Sequence, residues 1–306
     1  MAHKTERSLL VTDNFAPESK ALRAEFDQRF ANPRSATAGR FVWDYWHVPG
    51  QYTALRTPAW TYFDPALYRA IHERLVHFGR TTLGCHDISP PWMSCYIEGC
   101  SQQLHGDLPH GPWAFVLSLT HWDKRVFHGG ETLMLRDEVL DFWSDFTSIR
   151  SVEEPDVLRE IEPKFNRLTV FDPRIPHGVR EVRGTHDPRH GRLVIHGWFV
   201  QPRPCVTGPL SMRSLGSRTA QLEPVVSDAL SKGLPLVGLL SVGFTVLPSG
   251  ELDNVRLLSD TTRTPRTYER PRKALVRALL KTIASWNFPK QKGPSEVTLP
   301  IVFEQG

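Results

Sequence analysis

His105 and Asp107 stand two residues apart in the segment YIEGCSQQLHGD. On extended backbone such positions project from one face, so an imidazole and a carboxylate can reach one metal ion together. The triplet alone is a weak signal, because a chain of this composition yields about 0.7 His-x-Asp triplets by chance. His177 lies 72 residues further on, in FDPRIPHGV, directly after an expected strand, and supplies a third ligand. Two His and one carboxylate form a facial set that leaves three positions of an octahedral Fe(II) open. Arg192 follows 15 residues later and opens the apolar run RLVIHGWF. A guanidinium on a core strand needs an anionic partner, since burying it unpaired is costly, and a dicarboxylate would serve. Gly129-Gly130-Glu131-Thr132 sits between the first ligands and the last, where a hairpin is expected. A surface loop is the plain alternative for His-x-Asp by itself. A zinc hydrolase also uses two His and a carboxylate, but the chain has no His-Glu-x-x-His, and a hydrolase leaves Arg192 without a purpose.

The surrounding text supplies the elements that must position these groups. Pro17 precedes a helical segment in which Leu22, Phe26 and Phe30 recur every four residues. Asp64-Pro65 reads as an N-cap followed by Pro at the first helical position, with Leu67, Ile71, Leu75 and Phe78 on one face. From Pro91 to Val200 the pattern changes to short β-type runs at 113–119, 167–171 and 192–200, with a helix at about 136–146. Strands after N-terminal helices predict a double-stranded β-helix, or jelly roll, buttressed by helices and occupying residues 1–205. Residues 206–222 collect Pro, Gly and Ser and read as a linker. Residues 223–306 then spell a small α+β domain in the order strand, strand, helix, strand: alternation at Val242, Phe244 and Val246, a turn at Pro248-Ser249-Gly250, a second strand near 252–258, a helix from about Pro271, and a closing strand through Phe303.

Composition narrows the function classes. Hydrophobic residues at 40% and charged residues at 23% describe a globular chain. The net charge of +4 is mild and its cations are dispersed, so no nucleic-acid partner is expected. Arg supplies 28 of the 37 cations, which favours carboxylate or phosphate recognition. Four Cys form no Cys-x-x-Cys pair, pointing to a reduced setting. MAHKTERSLL lacks the apolar core of a signal peptide, and Pro235 and Pro248 interrupt the one long uncharged stretch. A cytoplasmic protein with no membrane partner is expected.

Taken in order, the motifs resemble those of the 2-oxoglutarate/Fe(II)-dependent dioxygenases, in the prolyl-4-hydroxylase-like branch, over residues 10–200. YIEGCSQQLHGD resembles the family's approach to its first two ligands, LSLTHWDKRVFHGGETLML its strand, turn and Gly-Gly-Glu-Thr hairpin, and HGVREV with GRLVIHGWF the segment carrying the distal His and the basic co-substrate residue. The resemblance implies that His105, Asp107 and His177 bind Fe(II) and that Arg192 pairs with the distal carboxylate of 2-oxoglutarate. It further implies O2 as oxidant, ascorbate as a stimulant, and release of succinate and CO2. Tyr96 and His196 are assigned with Arg192 to the co-substrate pocket, and Tyr96, Trp113 and Trp198 are candidates to line the substrate cleft. Related halogenases replace the ligand carboxylate with a small residue, so Asp107 favours hydroxylation. Three positions depart from the family pattern: Ser118 and Gln102 stand where Tyr is frequent, and His196 stands where Ser or Thr is frequent.

Residues 237–306 resemble the C-terminal domain of TonB-type energy transducers, through LLSVGFTVLPSGELDNVRLLSD, a helix exit at IASWNFP and the closing VTLPIVFE. That resemblance implies a binding fold able to engage a protein partner by adding a strand at a sheet edge. The leading expectation is a hydroxylase of a peptide or protein side chain, prolyl first. The alternatives are a hydroxylase of a free amino acid or natural-product intermediate, and a non-enzymatic metal-binding scaffold acting through its C-terminal domain.

Overall fold

A computed structural model of the chain describes residues 4–6, 8–32, 34, 43–107, 110–137, 139 and 157–304. Most of the helix expected at 136–146 lies outside the described residues. The chain forms two compact units, one of Met1–Leu75 with Ile88–Phe199 and one of Val76–Asp87 with Val200–Gly306.

The elements up to residue 202 run β1 (Lys4–Glu6), β2 (Leu9–Thr12), α1 (Ser19–Phe30), β3 (Asp44–Val48), β4 (Tyr52–Pro58), the single turn α2 (Ala59–Tyr62), α3 (Pro65–Phe78), β5 (Cys85–Ile88), β6 (Trp92–Tyr96), β7 (Ser101–His105), β8 (Trp113–Ser118), β9 (Thr132–Leu135), β10 (Leu158–Ile161), β11 (Leu168–Phe171), β12 (His177–Val179) and β13 (Arg192–Pro202). Asp64 caps α3, accepting from the backbone N–H of Ala66 at 2.9 Å and of Leu67 at 3.2 Å. Ile71 and Leu75 bury its apolar face, as Leu22 and Phe26 do for α1.

The strands pair in the order β1-β2-β11-β8-β13-β6-β4-β7-β12-β9-β10, with β3 beside β4 and β5 beside β13. Every pair along this path is antiparallel. The path cannot be flat. β11 and β12 stand six places apart, about 29 Å in a flat sheet at strand spacings near 4.8 Å. Yet the Phe171 ring on β11 lies 4.6 Å from the His177 ring on β12. The sheet is therefore curled, as a jelly roll requires, and its inner face closes around a cavity. Trp113, Phe115, Leu117, Leu193, Ile195 and Phe199 on the central strands β8 and β13 are fully buried.

The second unit holds β14 (Cys205–Thr207), α4 (Met212–Thr219), α5 (Glu223–Ser231), β15 (Gly238–Val246), β16 (Leu252–Asp260), α6 (Glu269–Ala284) and β17 (Ser295–Phe303), with the sheet order β14-β17-β15-β16. Leu275, Leu279 and Ile283 of α6 pack with Val242, Phe244 and Val246 of β15 and with Val297 and Leu299 of β17. Two features differ from the boundaries expected above. Residues 206–222 carry a strand and a helix: Ser211 caps α4, and Leu210, Leu215 and Leu222 enter the core. An eight-residue helix is too short to show periodicity among Ser and Gly. Residues 76–87 also belong to this unit, because Ser241 Oγ donates to the Leu83 carbonyl at 2.5 Å and Thr298 Oγ1 to that of Thr81 at 3.2 Å. Contacts across more than 150 residues leave no local trace. No helix among the described residues is long and apolar enough to cross a membrane.

Candidate metal and co-substrate site

His105 ends β7 and His177 begins β12, and the two are direct partners in the antiparallel register. Cross-strand pairing thus makes neighbours of residues far apart in sequence. Gly178 permits the approach: a Cβ there would collide with the Gln102 carbonyl and the Gln103 backbone. Asp107 follows on a turn whose backbone N–H donates to the Pro173 carbonyl at 2.9 Å, tying it to the loop that leads into His177.

The three side chains converge. His105 Nε2 lies 3.2 Å from Asp107 Oδ1, and His177 Nε2 lies 3.3 Å from Asp107 Oδ2. Each imidazole uses its other nitrogen on a backbone carbonyl, His105 Nδ1 on Gln103 at 2.8 Å and His177 Nδ1 on Ile175 at 2.9 Å. A carbonyl accepts only from N–H, so both Nδ1 atoms carry protons and both Nε2 atoms face the carboxylate, the arrangement that holds His as a metal ligand. Ligands bound at about 2.1 Å in adjacent octahedral positions stand about 3 Å apart, close to the separations seen here. His105, Asp107 and His177 offer ligand atoms that all fall within 4.8 Å of one another, and among the described residues no other His, Cys, Asp or Glu group does so. The donor set fits Fe(II).

Electrostatics bind the set together. Burial pushes the Asp107 carboxyl up, but the two imidazole rings of His105 and His177 facing it outweigh burial and hold the group well below the usual carboxylate range. Burial likewise pushes His105 down, and Asp107 with the Gln103 carbonyl more than reverses it, leaving its pKa raised. Trp198 Nε1 donates to Asp107 Oδ2 at 3.2 Å, and Gln102 Nε2 meets His105 Nε2 at 3.0 Å.

Arg192 opens β13 opposite Tyr96 of β6 and is 1% exposed. Its guanidinium carbon lies 4.7 Å from the Tyr96 ring centroid, and Nη2 donates to Thr132 Oγ1 at 3.1 Å. Nε and Nη1 are buried with no hydrogen-bond partner among the described residues. Burial pushes its pKa down, against the steadying effect of Tyr96. Orphaned donors on a buried cation cost several kcal/mol unless a ligand meets them, and a carboxylate does so in the bidentate geometry guanidinium favours. The Gly-Gly-Glu-Thr segment explains the Thr132 contact. Gly129 and Gly130 have φ of 76° and 82°, and a Cβ on Gly129 would strike the Glu181 carbonyl, so the turn into β9 needs glycine.

Both assemblies face one cavity of about 400 Å³, walled by β4, β6, β7, β8, β12 and β13. A larger cavity of about 710 Å³ beside α1 gathers no such ligand set. Of the residues singled out by sequence, His105, Asp107, His177, Arg192, Tyr96, His196, Gln102 and Trp198 line the smaller cavity. Trp113 lies in the core away from it, and Ser118 instead donates to the Pro163 carbonyl at 2.7 Å. His196 Nε2 meets Ser94 Oγ at 2.8 Å, and burial, with Arg56 and Arg192, pushes its pKa down to about 3. His110 stacks beside Trp198 at 4.4 Å, whereas His121 and His128 do not line the cavity. Tyr52, Arg56 and Thr132 are lining residues that sequence reasoning did not assign. Arg56 shares a strand face with the buried Ala54, a placement that YTALRTP does not signal.

Residues 91–200 match the sequence model of the 2OG-Fe(II) oxygenase superfamily. That segment contains His105, Asp107, His177 and Arg192. No curated protein matches the chain's sequence. Among solved structures, it is similar to a Pseudomonas putida prolyl-4-hydroxylase, at 18% identity and a TM-score of 0.44, over 64% of this chain and 93% of that one. It is also similar to a Trichoplax adhaerens prolyl hydroxylase in complex with a hypoxia inducible factor peptide fragment, at 15% identity and a TM-score of 0.43, over 63% and 84%. A third is HygX from Streptomyces hygroscopicus with nickel, 2-oxoglutarate and hygromycin B bound, at 15% identity and a TM-score of 0.40, over 62% and 82%.

Proposed function

We propose that this enzyme hydroxylates a peptide or protein side chain, prolyl being the first candidate, with His105, Asp107 and His177 as the Fe(II) ligands and Arg192 as the anchor of 2-oxoglutarate. The observation that carries the reading is the coexistence, in one cavity, of a facial two-His, one-carboxylate set and a buried guanidinium with two orphaned donors. When bound, Fe(II) with 2-oxoglutarate and O2 supplies the oxidation that turns a C–H bond into C–OH while the co-substrate becomes succinate and CO2. The chain's own residues do the rest. The Nδ1–H bonds of His105 and His177 hold both rings in register, and the Trp198 indole steadies the Asp107 carboxylate. Arg192, Thr132 and Tyr96 orient the distal carboxylate. Phe171, Val179 and Val194 line the cavity with apolar surface that excludes water.

An extended substrate suits the rim, where Trp46 of β3 and Trp60 of α2 are exposed and both pack against Trp92, a residue that lines the cavity. For the second unit a partner-binding role of the TonB C-terminal kind is proposed. β16 is an end strand of its sheet, with Asp253, Asn254, Arg256 and Leu257 exposed, and so offers a free backbone edge.

The test is succinate formation by anaerobically reconstituted Fe(II) protein, given 2-oxoglutarate, O2 and candidate peptides, compared with His177→Ala. Succinate that requires both iron and 2-oxoglutarate, and is lost in the variant, is the expected result. Equal turnover in the two proteins would refute the ligand assignment.

A further inference from the structure

The cavity holds a second unpaired guanidinium. Arg56 of β4 lines it, and its Nε is buried without a partner. Its carbon lies 5.1 Å from the Tyr52 ring centroid and 5.7 Å from that of Trp46, so two aromatic faces hold the cation in place. Asp44 is its cross-strand neighbour on β3 but is exposed, and no salt bridge or hydrogen bond joins Arg56 to an acid among the described residues. Register separates the two arginines. Arg192 pairs with Tyr96 and Arg56 with Ser94, on strands flanking β6 from opposite sides. Two strand spacings and two residues along the strand put their backbones about 12 Å apart.

Formal charge shows why the second cation matters. The cavity's ionised groups are Arg56, Arg192 and Asp107. A divalent ion raises their sum to three positive charges, and the dianionic co-substrate lowers it to one. Arg192 is the more deeply buried guanidinium and, on the function proposed above, takes the co-substrate's distal carboxylate. Arg56 is then left unsatisfied in a half-enclosed site, next to aromatic walls that would flank an organic group.

We infer that Arg56 is the anchor for a carboxylate on the substrate itself. The inference rests on the proposed function and deepens it, because it makes the oxidised molecule acidic. The carboxylate belongs either to a free amino acid or to an acidic side chain beside the oxidised residue of a peptide.

Binding is measured on protein loaded with redox-inert Ni(II) and 2-oxoglutarate, by tryptophan fluorescence and calorimetry, with two matched pairs of probes. N-acetyl-L-proline against N-acetyl-L-prolinamide tests the free carboxylate. A blocked Gly-Pro-Glu-Gly peptide against its Gly-Pro-Gln-Gly counterpart tests the acidic side chain. In at least one pair the charged member should bind about tenfold or more tighter, and the pair concerned identifies the source. That preference should vanish in Arg56→Gln and return in part in Arg56→Lys, which controls for folding. Equal binding within both pairs, no binding by any of the four, or a preference that survives Arg56→Gln would overturn the inference. Uptake of 2-oxoglutarate by the Ni(II) wild type, recorded first, reports on the proposed function separately.

Discussion

The two units each bury an arginine, and the two arginines have opposite surroundings. Arg272 on α6 is 5% exposed and fully engaged: Nε and Nη2 donate to Glu269 at 2.8 Å each, and Nη1 donates to Asp260 at 2.8 Å and to Thr262 at 3.0 Å. Burial pushes its pKa down, but Glu269 and Asp260 more than compensate, and it stands raised. Arg192 is as deeply buried, makes one hydrogen bond to a hydroxyl, and has a lowered pKa. Burial of charge is therefore not the mark of a site. A buried charge whose donors the protein leaves unmet is one, because only a ligand can repay the desolvation.

The comparison can be broken in several ways. The largest effect concerns the groups beside Arg192. Asp107→Ala removes one ligand and the charge that orients two imidazoles, so iron-dependent succinate formation should fall at least a thousandfold, which initial-rate assays would register. Next come matched substitutions at the two arginines. Arg272→Met removes the cation that neutralises Asp260 and Glu269 and should destabilise the fold by about 3–5 kcal/mol, whereas Arg192→Met removes an uncompensated charge and should leave the ligand-free protein as stable or about 1 kcal/mol more so. Urea unfolding of both variants checks this, and an equal loss in the two would erase the distinction. The smallest effect involves His196. Its folded pKa of about 3 lies below the ordinary histidine value of about 6.5, so the unfolded chain takes up a proton as pH falls through 6.5 while the folded one does not. Stability is thus unaffected above that range and drains away between about pH 6.5 and 3. The loss should be about 2 kcal/mol once the residue's partial exposure is allowed for. His196→Ser should flatten that part of the stability profile.

The same contrast explains what was legible beforehand. His105, Asp107, His177 and Arg192 can be singled out because their types are chemically conspicuous: a carboxylate two residues from an imidazole, and a guanidinium at the head of an apolar strand. The fold then makes His105 and His177 cross-strand partners, a relation that 72 intervening residues conceal. Arg56 stayed hidden because one arginine in an alternating strand reads as solvent-facing. Its inward direction depends on the curl of the sheet. In the second unit the apolar face of α6 and the alternation of β15 follow from local periodicity, but the membership of residues 76–87 does not, since Leu83 and Thr81 are held by side chains from β15 and β17. Pro300 illustrates a middle case. Proline in the closing strand suggests a sheet edge, yet β17 lies between β14 and β15. β14 pairs only with Glu296–Thr298, so the strand is locally unpaired on that side where Pro300 falls.

The most direct test of the central claim is calorimetric titration of 2-oxoglutarate into anaerobic Fe(II)-loaded protein, wild type against Arg192→Met. If the orphaned donors of Arg192 exist to meet the distal carboxylate, affinity should fall about a hundredfold in the variant, or roughly 2.7 kcal/mol. Equal affinities would contradict the account and leave the buried guanidinium without a ligand.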